Sequence, residues 1–251
     1  MMSQGTKSIL TRHLELDAFY TGDFSVRGPH PIAETPMPIS DEETMKPTAA
    51  ATETYATLDE IAAVVRQCQK CRLGATRTHA VPGQGHPKAR LVFIGEGPGA
   101  DEDAQGLAFV GRAGKLLTDM ITAMGLTRDD VFIGNIVKCR PPENRDPKPD
   151  EIQACSPYLK RQLELLAPQV IVALGAHAAR TLLATDEPIG KLRGQFIEYR
   201  FSPTCPPAKL MPTYHPAYLL RSYTLENRRR VWDDMQKVMK ELGLTPPKKK
   251  A

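Results

Sequence analysis

Residues 91–117 read LVFIGEGPGADEDAQGLAFVGRAGKLL, and the fold class follows from this stretch. Leu91 to Ile94 are four apolar residues in a row, which suits a strand buried on both faces. They run into Gly95-Glu96-Gly97-Pro98-Gly99, where three glycines and a proline in five residues permit a sharp turn. Such a loop also lets a flat ligand approach main-chain N–H groups. A helical pattern resumes at Gly111-Arg112-Ala113-Gly114. A buried strand that opens at its carboxyl end into a Gly/Pro loop is where open α/β sheets bind ligands. Glu96, Asp101, Glu102 and Asp103 set carboxylates along the turn, and Phe109 is the nearest aromatic. The stretch reads as a pocket rather than a connector.

Downstream, strands and helices alternate. Ala113–Met124 is amphipathic and stops at Gly125; Val131–Val137 reads as a second strand; Asp150–Leu166 is a helix. Val170–Leu174 is a third buried strand, Gly175–Leu183 its helix, Ile197–Phe201 an edge strand, and Lys209–Thr213 the last strand before a helix over Leu225–Leu242. Upstream, Thr57-Leu58-Asp59-Glu60 has the pattern of a capping box, with Leu58, Ile61, Ala62 and Val65 at helical spacing behind it. Residues 72–90 read as a loop into the first strand. Four rounds of alternation predict a parallel sheet with helices on both faces. Residues 1–55 lack periodicity and gather Pro, Thr and Ala, as an extension without a packed core does; the domain is expected over 56–245, with a basic tail at 246–251.

The charge is uneven. Residues 1–55 hold four basic and eight acidic side chains, leaving 29 basic against 21 acidic in the rest. A basic body permits a polyanionic partner. No run of 18 apolar residues exists, so no membrane partner is expected. The first residues lack the basic-then-apolar order of a secretory signal, and a cytoplasmic protein is expected.

Five cysteines are present, two of them as Cys68-x-x-Cys71. With Cys139 and Cys155 they could meet near the second strand, and four thiolates hold either zinc or a cubane iron–sulfur cluster. Alternatively only the C-x-x-C pair matters and the others are small core residues. Cys205 is the spare. Asn135, at the end of the second strand, can present a donor and an acceptor to an imide edge, or simply close a turn. His215 follows the last strand at the same sheet edge, beside Pro216. Phe109 could stack on a flat ligand or fill the core. Leu219-Leu220-Arg221 could be an apolar wedge beside a phosphate contact, or the start of a helix.

Taken together, Gly95-Glu96-Gly97-Pro98-Gly99 with Phe109-Val110-Gly111-Arg112-Ala113-Gly114, Asn135-Ile136-Val137-Lys138-Cys139-Arg140-Pro141-Pro142 and His215-Pro216-Ala217-Tyr218-Leu219-Leu220-Arg221 resemble family 4 uracil-DNA glycosylases. The likeness runs over residues 57–243. It implies a three-layer α/β/α sandwich with a central four-stranded parallel sheet, and a structural [4Fe–4S] cluster on Cys68, Cys71, Cys139 and Cys155. It also implies a uracil pocket of Glu96, Gly97, Glu102, Phe109, Asn135 and His215. Phe109 would stack on the base, Asn135 would read its imide edge, and His215 would sit near O2. Leu219, Leu220 and Arg221 would enter the minor groove.

The implied reaction is hydrolysis of the N-glycosidic bond of extruded uracil, leaving an abasic site without a Schiff base. The best-known relatives carry an aspartate where Gly97 stands, so Glu96, Glu102 and Asn144 are the candidates to orient water, beside His215 as the group that stabilises the departing base. The expected partner is uracil-containing DNA, double-stranded with single strands left open, met by a monomer at the nucleoid. Two other readings are a non-catalytic iron–sulfur DNA-binding or electron-transfer module, and a zinc-bound nucleotide hydrolase.

Overall fold

The computed structural model describes residues 55–245; the extension expected over 1–55, apart from Tyr55, and the tail at 246–251 lie outside the described residues. The first helix, α1 (Leu58–Gln67), is capped as its sequence requires: the Thr57 hydroxyl accepts from the Glu60 N–H at 3.2 Å, and the Glu60 carboxylate accepts from the Ala56 N–H at 2.8 Å. A short α2 (Leu73–Thr76) and β1 (Gln84–Gly85) follow. Then come β2 (Leu91–Gly95), α3 (Ala100–Gln105), α4 (Arg112–Ala123), β3 (Phe132–Asn135) and α5 (Pro149–Leu166). The chain continues through β4 (Val170–Leu174), α6 (Ala176–Leu183), α7 (Ile189–Leu192), β5 (Ile197–Tyr199), β6 (Ala208–Thr213), α8 (Pro216–Arg221) and α9 (Leu225–Leu242).

The strands form one sheet in the order β1-β3-β2-β4-β6-β5. Its four central strands are parallel, as the alternation predicts, and β1 and β5 pair antiparallel at the two edges. The expected four-stranded parallel sheet is thus the centre of a mixed sheet of six strands. Residues 72–90, read as loop, contain α2 and the two-residue β1, whose pairing with Phe132 and Ile133 rests on backbone contacts. Side-chain periodicity carries no trace of so short a strand.

Alternation along the strands sorts the core into two layers. Val92, Ile94, Ile171, Ala173 and Leu210 pack on one face among residues of α1, α5 and α6. Leu91, Phe93, Val170, Val172 and Met211 pack on the other, among residues of α4 and α9. The three-layer α/β/α sandwich follows directly. From β2 the chain goes to β3 on one side, whereas β4 and β6 lie on the other. The carboxyl ends of β2 and β4 therefore diverge into a crevice, the position at which such sheets bind ligands. No helix among the described residues is long and apolar enough to cross a membrane.

Candidate active site and cysteine centre

Strand parity aims the site. Gly95 and Asn135 occupy paired positions at the ends of β2 and β3, on the face that carries Phe93, Ile133 and Phe109. A side chain at Gly95 would have no room: its Cβ would lie 2.5 Å from Asn135 Oδ1 and 2.6 Å from the tip of the Phe109 ring. The Phe109 ring in turn lies 5.7 Å from the imidazole of His215, centroid to centroid, tilted by 33°. Phe109 from the loop after α3, Asn135 from the end of β3 and His215 from the turn after β6 thus meet in one place. Asn135 is 1% exposed, and its Oδ1 is buried with no hydrogen-bond partner among the described residues. An unpaired buried carbonyl costs stability, and here it faces the ring edge and the glycine.

Phe109 is held under strain. Its φ of 52° is in the left-handed region that aromatic residues rarely occupy. Two charged groups clamp its backbone from either side. The Arg128 guanidinium donates to the carbonyls of Ala108 (2.6 Å) and Phe109 (3.0 Å). The Glu102 carboxylate accepts from the N–H groups of Val110 (2.8 Å), Gly111 (2.9 Å) and Gly99 (3.1 Å). Replacing Arg128 with alanine is expected to leave two carbonyls unpaired, costing about 2–4 kcal/mol. Phe109 should then relax from its strained conformation, and kcat should fall at least tenfold. Chemical denaturation and single-turnover kinetics check both.

Glu102, a candidate for the water-orienting group, has other work in the structure. Both of its oxygens are taken by backbone N–H groups at the start of α3 and around the Phe109 loop. Asn144 is also placed differently: it is exposed, and its side-chain oxygen accepts from Arg140 Nε at 2.8 Å. Asp101 and Asp103, read as lining the turn, belong to α3. Asp101 is exposed, and Asp103 is buried against the Thr78 N–H at 2.9 Å. Glu96 is the carboxylate the loop retains. Burial, together with the charge of Asp146 and a hydrogen bond to it, pushes Glu96 up to about 7. Asp146 comes from the loop after β3, whose Pro141 also lies over Gly97.

His215 caps α8, its Nδ1 accepting from the Ala217 N–H at 3.0 Å. The ring proton therefore sits on Nε2. Burial and the nearby Arg221 hold this imidazole down at about 4, so it is neutral at physiological pH. Gly175, with φ 92°, passes within 3.0 Å of the His215 Cβ, measured from where a Cβ of its own would be.

In α8, helical phase separates the expected wedge. Leu219 is 3% exposed and joins the core layer around Met235 and Met239, whereas Leu220 is 40% exposed and Arg221 is exposed beside it. Leu219 is therefore packed in the core, and Leu220 and Arg221 are the members of the segment that face solvent.

The cysteines lie in the other core layer. Cys68 caps the end of α1, Cys71 follows, Cys139 leaves β3 and Cys155 sits on α5; all four line one cavity with Val65 and Tyr158. Donors already point at three of the sulfurs: Arg77 Nη1 at 2.9 Å from Cys139, the Lys138 N–H at 3.2 Å from Cys155, and the Tyr158 hydroxyl at 3.4 Å from Cys68. Burial pushes the Cys155 thiol up to about 11, so its thiolate needs a cationic partner. Among the described residues no three His, Cys, Asp or Glu side chains converge on a single ion. Cys205 lies apart, half-buried near the Glu164 carbonyl.

Two buried groups escaped the sequence reading. Lys138 looks like a surface base in a Lys-Cys-Arg run, yet it is 1% exposed, and its amine donates to the Asn135 carbonyl and to Gln162 Oε1, each at 2.8 Å. It fixes the backbone of Asn135 from behind the sheet. Arg128 gives no local signal, because its partners lie 19 and 20 residues away.

A family model described as the uracil DNA glycosylase superfamily matches residues 82–236. The chain is 50% identical over 194 residues to a type-4 uracil-DNA glycosylase of Saccharolobus solfataricus, covering 75% of this chain and 88% of that protein. It is 43% identical over 194 residues to one of Archaeoglobus fulgidus (76% and 96% covered) and 46% identical over 174 residues to one of Thermotoga maritima (69% and 88%).

Proposed function

The chain belongs to the type-4 enzymes of the uracil-DNA glycosylase superfamily, and we infer that its pocket holds an extruded uracil between Phe109, Asn135 and His215 while the bond to deoxyribose is hydrolysed. Its work is uracil excision in DNA repair. The observation that carries the inference is the buried, partnerless Oδ1 of Asn135 beside the Phe109 ring. Uracil offers N3–H and a 4-carbonyl side by side. Asn135 Oδ1 accepts from the first and Nδ2 donates to the second, whereas cytosine presents the opposite order and leaves buried groups unpaired. Extruding a base costs a few kcal/mol, offset by stacking on Phe109 and by Leu220 filling the gap beside Arg221.

Bond cleavage leaves negative charge on uracil O2. The neutral His215 has its proton on Nε2 and can donate it as a hydrogen bond there, alongside backbone N–H groups of Glu96 and Gly97. Glu96, paired with Asp146, is the group we assign to orient water toward the sugar. Its ionised form predominates only above its raised pKa, so single-turnover excision should rise with pH, with a half-point near 7. Glu96→Gln should remove that rise. His215, neutral above about 4, should add no step between pH 5 and 9. A flat profile in the wild type would sink the role given to Glu96. Lys138, whose amine is committed to the Asn135 carbonyl and Gln162, is not available as a Schiff-base nucleophile, which supports a monofunctional enzyme.

The four thiols fit a [4Fe–4S] cluster held by Cys68, Cys71, Cys139 and Cys155. A cubane takes one thiolate at each iron, so it suits sulfurs arranged around a cavity. When bound it would cross-link the end of α1, the exit of β3 and α5, in the core layer opposite Phe109. One chain carries the whole pocket, which supports action as a monomer, and its DNA is that of the nucleoid, with duplex favoured by the Leu220 wedge. Treating a uracil-containing duplex with the protein and then alkali tests the function: strand breakage at uracil alone is expected. No breakage would favour a non-catalytic DNA-binding module.

A further inference from the structure

Six large apolar side chains are exposed among the described residues, and four of them (Tyr218, Leu220, Tyr223 and Leu225) fall within eight positions. Leu220 is the wedge assigned above. The others extend its surface around the turn between α8 and α9. That turn is built rather than loose. Asn227, 8% exposed, donates through Nδ2 to the carbonyl and to the hydroxyl of Ser222, both at 3.1 Å, and the Thr224 hydroxyl accepts from the Asn227 N–H at 3.1 Å. The staple holds Tyr223 out in solvent at 56% exposure, and the Arg228 guanidinium lies 4.9 Å from the centre of its ring. Arg221, Arg228, Arg229 and Arg230 are exposed on the same stretch, against the single carboxylate of Glu226. A fixed aromatic under a guanidinium, three residues from the wedge along the chain and among exposed arginines, has the chemistry of a nucleobase face beside a phosphodiester.

We propose that Tyr223 and Arg228 form a second DNA contact, in which the ring stacks on a nucleotide flanking the extruded one and the guanidinium meets its phosphate. This rests on the glycosylase reading, since it needs the DNA to be seated by Leu220 and Arg221. The occupant is the DNA strand itself: Arg230 is already paired with Glu226, and the remaining Arg221, Arg228 and Arg229, with no carboxylate left on the stretch, match a polyanion rather than an apolar partner.

Fluorescence anisotropy with a duplex carrying a tetrahydrofuran abasic analogue tests it. Tyr223→Ala should raise Kd about tenfold, as loss of one stacked base does, and Tyr223→Phe should stay within about twofold of wild type because the ring remains. Arg228→Ala should weaken binding and lower the slope of log K against log salt by about one. Val64→Ala, an exposed apolar residue on α1, serves as the control and should bind as wild type. Equal Kd for Tyr223→Ala and wild type, or a Phe variant as weak as the Ala variant, would overturn the proposal. A wild-type protein that fails to cleave uracil DNA would instead overturn the glycosylase reading, so the two failures are separable.

Discussion

Asn135→Ala is expected to lower kcat/KM for uracil excision by roughly 10³-fold, the scale on which loss of a specific buried polar contact is felt in catalysis. Folding should not suffer in parallel. The Oδ1 that is removed has no partner in the free protein, so its burial is a cost that alanine abolishes. An unfolding midpoint equal to or above that of wild type is therefore expected alongside the lost activity, as for a site that trades stability for function. Asn135→Asp separates reading from mere space-filling. A protonated aspartate donates to the bare N3 of cytosine and accepts from its 4-amino group, the mirror of what asparagine offers uracil. The ratio of cytosine to uracil excision should rise, measured on paired oligonucleotides. An unchanged preference would remove Asn135 from the recognition step.

Cys139→Ala should act in the opposite sense, on the fold before the chemistry. Four thiolates around one cluster would tie α1, the exit of β3 and α5 together, and such metal linkages are folding free energy in large part. Iron content and absorbance near 400 nm should be lost, with the midpoint falling by roughly 10–20 °C, the shift that several kcal/mol produces in a domain of this size. The protein that stays folded at low temperature should keep excision within about tenfold, because the thiols lie in the core layer opposite Phe109. A cluster-free variant with an unchanged midpoint would contradict the structural role. Zinc in place of iron in the wild type would contradict the cubane.

Much of this arrangement is legible in the chain. Leu91–Gly95 and Val170–Leu174 announce themselves as apolar runs because both of their faces are covered, and the Gly/Pro loop between β2 and α3 marks the crevice. Phe109, Asn135 and His215 each carry a bland local meaning, and only the order of strand ends brings them together. What the chain conceals is long-range or a matter of phase. Arg128 clamps the Phe109 loop from across α4, and Lys138 turns inward because the sheet covers it. Leu219 and Leu220 are adjacent and chemically alike, yet starting α8 at Pro216 sends one into the core and the other into solvent. Glu102 reads as a pocket carboxylate until backbone N–H groups are seen on both of its oxygens. Asp146 carries no mark in sequence and acquires one only beside Glu96.

Crystallising the protein with free uracil asks the central question most directly. The expected density places the base against the Phe109 ring, with N3 within hydrogen-bond distance of Asn135 Oδ1 and O2 facing His215 Nε2. Uracil bound elsewhere, or in this crevice with its imide edge turned away from Asn135, would contradict that assignment.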